Sequence, residues 1–157
     1  MCIRDRCYTD SDWAGDPENR KSISGWGIFI EDNPICWGSR QQRITSASST
    51  EAEYIGISDV TQELIFLIHI LEFLKVNINL PVKVMVDNKG AIFLFENPVV
   101  KRTKHIDTRY HIIREHIENG IVTVQFISSD ENISDILTKN TSENIFEKHK
   151  KNLIVKF

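Results

Sequence analysis

Four acidic residues, Asp10, Glu53, Asp87 and Asp135, have the types and positions in this 157-residue sequence that could do chemistry. Glu53 is the most informative. With Ile57, Val60, Leu64, Leu67, Leu71 and Leu74 it recurs at alternating steps of four and three, which is one stripe of an α-helix. The other members of the stripe are apolar, so this carboxylate sits at the rim of a core and needs a partner or a cation. Asp10 lies on a first short strand, Asp87 ends a β-branched run, and Asp135 stands at the start of a late helix. If the first and fourth strands are neighbours, the two aspartates meet the helix head without strain. Carboxylates sharing one pocket repel, and two divalent cations would remove that penalty. Oxygen donors without a cysteine pair or a convincing histidine set suit Mg²⁺ or Mn²⁺ rather than zinc. Two such ions ~3.5–4 Å apart activate a water and stabilise the leaving oxygen in attack on a phosphodiester.

Each acid also has a plainer reading. Asp87 would cap a helix beginning at Asn88, and Asp135 its own helix. Thr50-x-x-Glu53 fits a capping box, in competition with Ser48-x-x-Glu51. Asp12 reads as a turn residue. Singly the caps are the simpler account; the joint occurrence of four acids reverses the balance.

The elements that must position these residues follow from local pattern. A short strand ends near Asp10, and residues 11–24 are a turn-rich loop with Gly15, Pro17 and Asn19. Strands are expected over 25–30 and 35–39, joined by a hairpin turn at 31–34. Arg40 to Ala47 is a polar connection before the long helix, which starts at Ser48 and runs to about Lys75. Val82 to Val86 is a strand leading into a shorter helix stopped by Asn97-Pro98. A helix through Ile106, Tyr110, Ile113 and Ile117 closes at Asn119-Gly120. A strand over 121–127, a short helix over 133–139 and a basic helix from Ser142 to about Leu153 complete the chain. This alternation predicts an α/β domain with a mixed sheet. Residues 1–7 read as an irregular or non-native leader, and 8–157 as one domain ending in a C-terminal helix.

Composition is that of an ordinary globular domain, with 41% hydrophobic and 26% charged residues. The formal net charge is −3, yet convergence of several acids would leave Arg40 with Arg43 and Lys101-Arg102 with Lys104 as separate basic clusters. Cys2, Cys7 and Cys36 form no CxxC pair, which fits a reducing compartment. No apolar run is expected to cross a bilayer, and no membrane partner is expected.

Five segments carry a resemblance: Tyr8-Thr9-Asp10-Ser11-Asp12-Trp13-Ala14-Gly15, Ser46-Ala47-Ser48-Ser49-Thr50-Glu51-Ala52-Glu53-Tyr54, Val86-Asp87-Asn88, Lys104-His105-Ile106-Asp107-x-Arg109-Tyr110 and Ser134-Asp135-Ile136-Leu137-Thr138-Lys139. Together, in this order, they resemble the ribonuclease H domain of copia-like LTR retrotransposon Pol polyproteins. The resemblance implies a ribonuclease H-like fold, with a five-stranded mixed sheet of three antiparallel and then two parallel strands flanked by helices. It implies endonucleolytic cutting of the RNA strand of an RNA–DNA hybrid, beside a reverse transcriptase domain of the same polyprotein. It selects Asp10 over Asp12 and Glu53 over Glu51, and puts Asp87 and Asp135 in the third and fourth metal-ligand positions, around two Mg²⁺ or Mn²⁺ ions. Ser48 falls where related enzymes contact a DNA-strand phosphate. Asn88 is a minor-groove candidate, and Arg40, Arg43 and Lys104 are candidates for backbone contacts. The histidine that cellular relatives keep before the last aspartate has no counterpart between Phe126 and Ser134, so the general acid is unassigned. The expected setting is the element's cytoplasmic virus-like particle, or the nucleus. The alternatives are an inactive module of this fold that binds nucleic acid or supports the polymerase, and a transposase or integrase core, in which the glutamate comes last.

Overall fold

The computed structural model describes residues 6–96 and 104–154, without the side chains of residues 96, 104–108 and 110. Five strands form one sheet in the order β3-β2-β1-β4-β5. They are β1 (Arg6–Asp12), β2 (Ile23–Ile30), β3 (Asn33–Gln41), β4 (Val82–Val86) and β5 (Val122–Phe126). The first three are antiparallel, whereas β4 runs parallel to β1 and β5 parallel to β4. This is the expected mixed sheet, with the first and fourth strands adjacent. Four helices complete it: α1 (Ser49–Phe73), α2 (Lys89–Glu96), α3 (Lys104–Glu118) and α4 (Glu143–Leu153).

Side chains alternate between the two faces of a strand, and β1 separates two cores in this way. Cys7 joins Ile57, Val60, Leu64, Val84 and Ile113 under the α1 side, while Tyr8 joins Phe29 and Ile133 on the other. Central α1 lies over β1 and β2, with α2 and α3 beside it. Its apolar stripe is buried from Ile57 to Leu64. The helix ends one residue before Leu74, where the chain turns through Lys75 at φ 58°. By length and composition alone α1 could cross a membrane, contrary to the expectation from the sequence, but half of that stretch is buried inside the domain.

Three boundaries differ from the sequence reading. Arg6 and Cys7, assigned to the leader, begin β1, because Cys7 fits between Ile28 of β2 and Val84 of β4 and is fully buried. Residues 1–5 of that leader lie outside the described residues. The hairpin strands are longer than expected, pairing out to Ile23 and Gln41, because antiparallel pairing continues through the polar Ser24 and Arg40. The short helix over 133–139 is instead a pair of 3₁₀ turns, Ser129–Glu131 and Ile133–Leu137. The buried Asn132 between them reaches across to β1, which suits tight turns better than a regular helix.

Gly56 is where α1 comes closest to β1. A Cβ there would stand 2.6 Å from Ser11 Oγ and 3.1 Å from Thr9 Oγ1. Gly56→Ala is therefore expected to destabilise the domain by about 1–3 kcal/mol through overpacking, despite the better helix propensity of alanine. Denaturant unfolding measures it, and an unchanged or raised stability would show that the helix can shift freely.

Candidate active site

Parallel pairing of Tyr8 with Met85 sets Asp10 and Asp87 level with each other at the carboxyl ends of β1 and β4. Such strand ends are the usual ligand-binding edge of an α/β sheet. Glu53 arrives from α1. One carboxylate oxygen from each of Asp10, Glu53 and Asp87 lies within 4.8 Å of the others. Asp10 and Glu53 are 2% and 4% exposed, so the cluster is walled by protein on its inner side.

The competing caps are resolved by other residues. Ser48 Oγ accepts from the Glu51 amide at 3.2 Å, and Glu51 in turn accepts from the Ala47 amide at 2.7 Å. That box leaves Glu53 out, and its Oε1 accepts instead from the Ser11 amide at 3.0 Å. Asn88 caps α2 through its Oδ1, which accepts from the Ala91 amide. Asp87 is thus released from capping and, among the described residues, accepts from Ser129 Oγ at 2.8 Å. For the last turn the cap is Asn132, not Asp135.

Asp135 stands beside the three-acid cluster rather than within it. Lys139, one turn further on, places Nζ 3.2 Å from Asp135 and 3.5 Å from Asp10, joining the two by an ammonium bridge. Thr138 also donates its hydroxyl to Asp10 Oδ2. Gly25 of β2 permits this approach, since a Cβ there would meet Leu137 Cβ at 2.8 Å. Sequence reasoning did not find Lys139, Thr138 or Asn132 as site residues. The spacing of Asp135 and Lys139 by one helical turn was the available signal.

Electrostatics follow from burial. Loss of water, then the charges of Asp10 and Asp87, push Glu53 up to about 9. Burial and then Asp10 push Asp135 up to about 6, against the pull of Lys139. Burial alone would lower Lys139, but Asp10 and Asp135 outweigh it and the ammonium is held above its ordinary range. Among the described residues, Glu53 Oε2 and Asp135 Oδ1 are buried without a hydrogen-bond partner. An all-oxygen donor set, mutually repelling and with such orphaned lone pairs, fits a hard divalent cation.

The remaining candidates are more scattered. Ser48 and Asn88 are both engaged as caps near the cluster. Arg40 and Arg43 are exposed beside a cleft on the other side of the α1 head. Lys104 opens α3, and its side chain lies outside the described residues, as does that of His105. Trp13 donates its indole N–H to the Ser46 carbonyl at 3.2 Å and is half exposed, so it ties the loop after Asp10 to the chain entering α1.

Asn132 is the support that the sequence concealed. Fully buried, it donates from Nδ2 to the Thr9 carbonyl at 2.9 Å and accepts from both the amide and the hydroxyl of Ser134. It therefore pins the Asp135 turn to the strand carrying Asp10. Asn132→Ala is expected to cost about 2–3 kcal/mol, since it strands a buried carbonyl. Chemical unfolding tests this, and a loss under about 0.5 kcal/mol would mean that the turn is held elsewhere.

Comparisons with known proteins agree with this fold. No family model matches the chain. Compost-derived LC11-RNase H1 superposes with a TM-score of 0.64 at 18% identity, over 87% of this chain and 93% of that one. The N-terminal RNase H domain of Rv2228c from Mycobacterium tuberculosis superposes at 0.62 and 12% identity, over 95% and 97%. These define the class of the molecule: a ribonuclease H fold with an acidic cluster at its strand ends.

In sequence, the chain is 42% identical over 141 residues to the retrovirus-related Pol polyprotein from transposon TNT 1-94 of Nicotiana tabacum. It is 36% identical over 141 residues to that from transposon RE1 of Arabidopsis thaliana. Both alignments cover 89% of this chain, which spans only 10% of the length of these curated relatives. The chain is thus homologous to a segment of retrovirus-related Pol polyproteins from plant transposons, and its fold is that of ribonuclease H.

Proposed function

We propose that the domain is a metal-dependent endoribonuclease that hydrolyses the RNA strand of RNA–DNA hybrids during reverse transcription of a retrotransposon. The observation that carries this reading is the three-carboxylate cluster, with its unpartnered Glu53 oxygen, on a ribonuclease H fold. One solved relative of this fold, LC11-RNase H1, was crystallised with an RNA/DNA hybrid.

Asp10, Glu53, Asp87 and Asp135 would together hold two Mg²⁺ or Mn²⁺ ions, with Asp10, Glu53 and Asp87 forming the tightest part of the donor set. When bound, such ions neutralise the acids, activate a water and stabilise the leaving oxygen. The chain's own contribution is aim. Ser11 holds Glu53, Ser129 holds Asp87 and Thr138 holds Asp10, in a cluster where one carboxylate oxygen of each acid lies within 4.8 Å of the others. Ser48, Asn88, Arg40, Arg43 and Lys104 are proposed to contact the hybrid, read by its backbone shape rather than its base sequence. The proposed partner is a reverse transcriptase domain of the same polyprotein, and the proposed setting is the cytoplasmic particle of the element or the nucleus.

Incubation of the purified chain with a 5′-labelled RNA–DNA hybrid and Mg²⁺ tests the proposal. Internal RNA cuts that vanish with EDTA are expected, with single-stranded RNA and duplex DNA left intact. Binding of the hybrid without cutting would instead support an inactive module of this fold.

A further inference from the structure

Arg109 and Asp59 enter no part of the acid cluster, yet they meet. Arg109 of α3 donates from Nη1 to Asp59 Oδ1 of α1 at 3.3 Å, across 50 residues of sequence. Arg40 at the end of β3 brings Nη2 to the other oxygen, Oδ2, at 3.5 Å. One carboxylate, 15% exposed, therefore holds two guanidinium groups from separate elements side by side. Both arginines, together with Arg43, line a cleft of about 160 Å³ whose wall also includes Gln42 and Gln62. Arg43 is exposed and has no ion-pair partner among the described residues.

Three guanidiniums against one carboxylate leave the cleft with an excess of two positive charges. Surface ion pairs of this length stabilise little. Their effect here is to hold planar donor forks ready, and such forks match the oxygens of a phosphate. The cleft is also rigidly tied to the acid cluster. Gln42, between Gln41 and Arg43, is buried and donates to the Ala52 carbonyl at 2.9 Å and to Ser24 Oγ at 2.8 Å. Ala52 adjoins Glu53, so an anion in the cleft would lie at a constant offset from the site of cutting.

We infer that Arg40, Arg43 and Arg109, organised by Asp59, form a receptor for one backbone phosphate of the nucleic acid, at a fixed distance from the acid cluster. This rests on the hybrid-cutting reading for the identity of the ligand, and it adds Arg109 and Asp59 to the contacts named above. Asp59 acts through the arginines, as a positioning residue.

The test measures binding separately from cutting. The full chain carrying Asp87→Asn, which keeps the hybrid intact, is titrated with a fluorescent RNA–DNA hybrid over a range of KCl concentrations. Arg43→Gln, Arg109→Gln and their combination are added to that background. Loss of one phosphate contact lowers the slope of log affinity against log salt by about 1. Each single variant is expected to weaken binding several-fold, and the double variant to lose about one unit of slope rather than two, because both side chains serve the same phosphate. A hybrid scanned with single neutral methylphosphonates should show one position that weakens the parent and leaves the double variant unaffected.

Arg43 is exposed and has no ion-pair partner among the described residues, so its substitution keeps the result independent of folding; thermal melts check Arg109→Gln. Affinity within twofold of the parent in all three variants, with no measurable change in slope, would overturn the receptor. So would inorganic phosphate that raises the melting temperature through Arg109 while the hybrid slope stays unchanged, because the cleft would then take a free oxyanion. Arginine-dependent binding by a chain whose unsubstituted form cuts no hybrid would sink the nuclease reading and leave the receptor standing. Cutting by the unsubstituted chain, with KM unmoved in the arginine variants, would do the reverse.

Discussion

Asp87→Asn is expected to reduce hybrid cleavage by well over 100-fold while leaving the fold intact. The acid accepts a hydrogen bond from Ser129 Oγ, and the Oδ1 of asparagine can accept the same bond. Asp87 is only partly buried, and its charge raises the proton affinity of Glu53, so removing it relieves repulsion. Melting temperature without metal should hold or rise slightly. Activity should collapse for a different reason: residues that merely orient metal ligands are worth 10–100-fold, roughly, and a ligand itself more. Initial rates on a labelled hybrid, paired with thermal melts, give both quantities. Activity within tenfold of the parent, in a variant that melts normally, would remove Asp87 from the site.

Stability in EDTA should fall steeply as pH rises, and Mg²⁺ should reverse the fall. Glu53 goes from an ordinary 4.5 in the unfolded chain to about 9 in the folded one. Between those values the native state binds more protons than the unfolded state, so stability is fullest below pH 4.5 and declines toward pH 9. Asp135 adds to the decline between 3.8 and about 6. At pH 7.5 the Glu53 contribution is on the order of 4 kcal/mol lost, since each unit of displacement is worth about 1.4 kcal/mol. For a domain of this size that corresponds to roughly 10 °C in melting temperature. A divalent cation needs the ionised carboxylate, so the Mg²⁺-induced rise should be larger at pH 8.5 than at pH 5.5. Glu53→Gln isolates the group: without metal at pH 8 it should melt above the parent, with a shallower pH dependence and a much smaller Mg²⁺ response. Parallel melting profiles for parent and variant between pH 5 and 9 in EDTA would refute the burial of an unpaired acid at this position.

Much of the fold was legible because it is local. The stripe from Glu53 to Leu71, the β-branched run before Asp87 and the Ser48–Glu51 box are each decided by neighbours along the chain, and each has its expected element. The three acids that meet, Asp10, Glu53 and Asp87, stood out for a related reason: a carboxylate at a strand end or on a buried stripe contrasts with an apolar pattern. Asn88 and Asn132 were harder to read, because an asparagine and an aspartate satisfy helix-capping statistics alike. Only the structure shows that the asparagines take the caps beside Asp87 and Asp135.

By itself, the sequence determined which segments are strands or helices and which acids were out of place, because periodicity and side-chain chemistry act over a few residues. Tertiary structure decided the rest. Thr9 meets Asn132 across 123 residues, Asp10 meets Thr138 across 128, and Asp59 gathers Arg40 and Arg109 from a strand and a helix. No local pattern encodes these pairings. They arise because β1 lies between β2 and β4, which brings Asp10, Asp87 and the late turn carrying Asp135 together at the carboxyl ends of the central strands and leaves Glu53 there short of water.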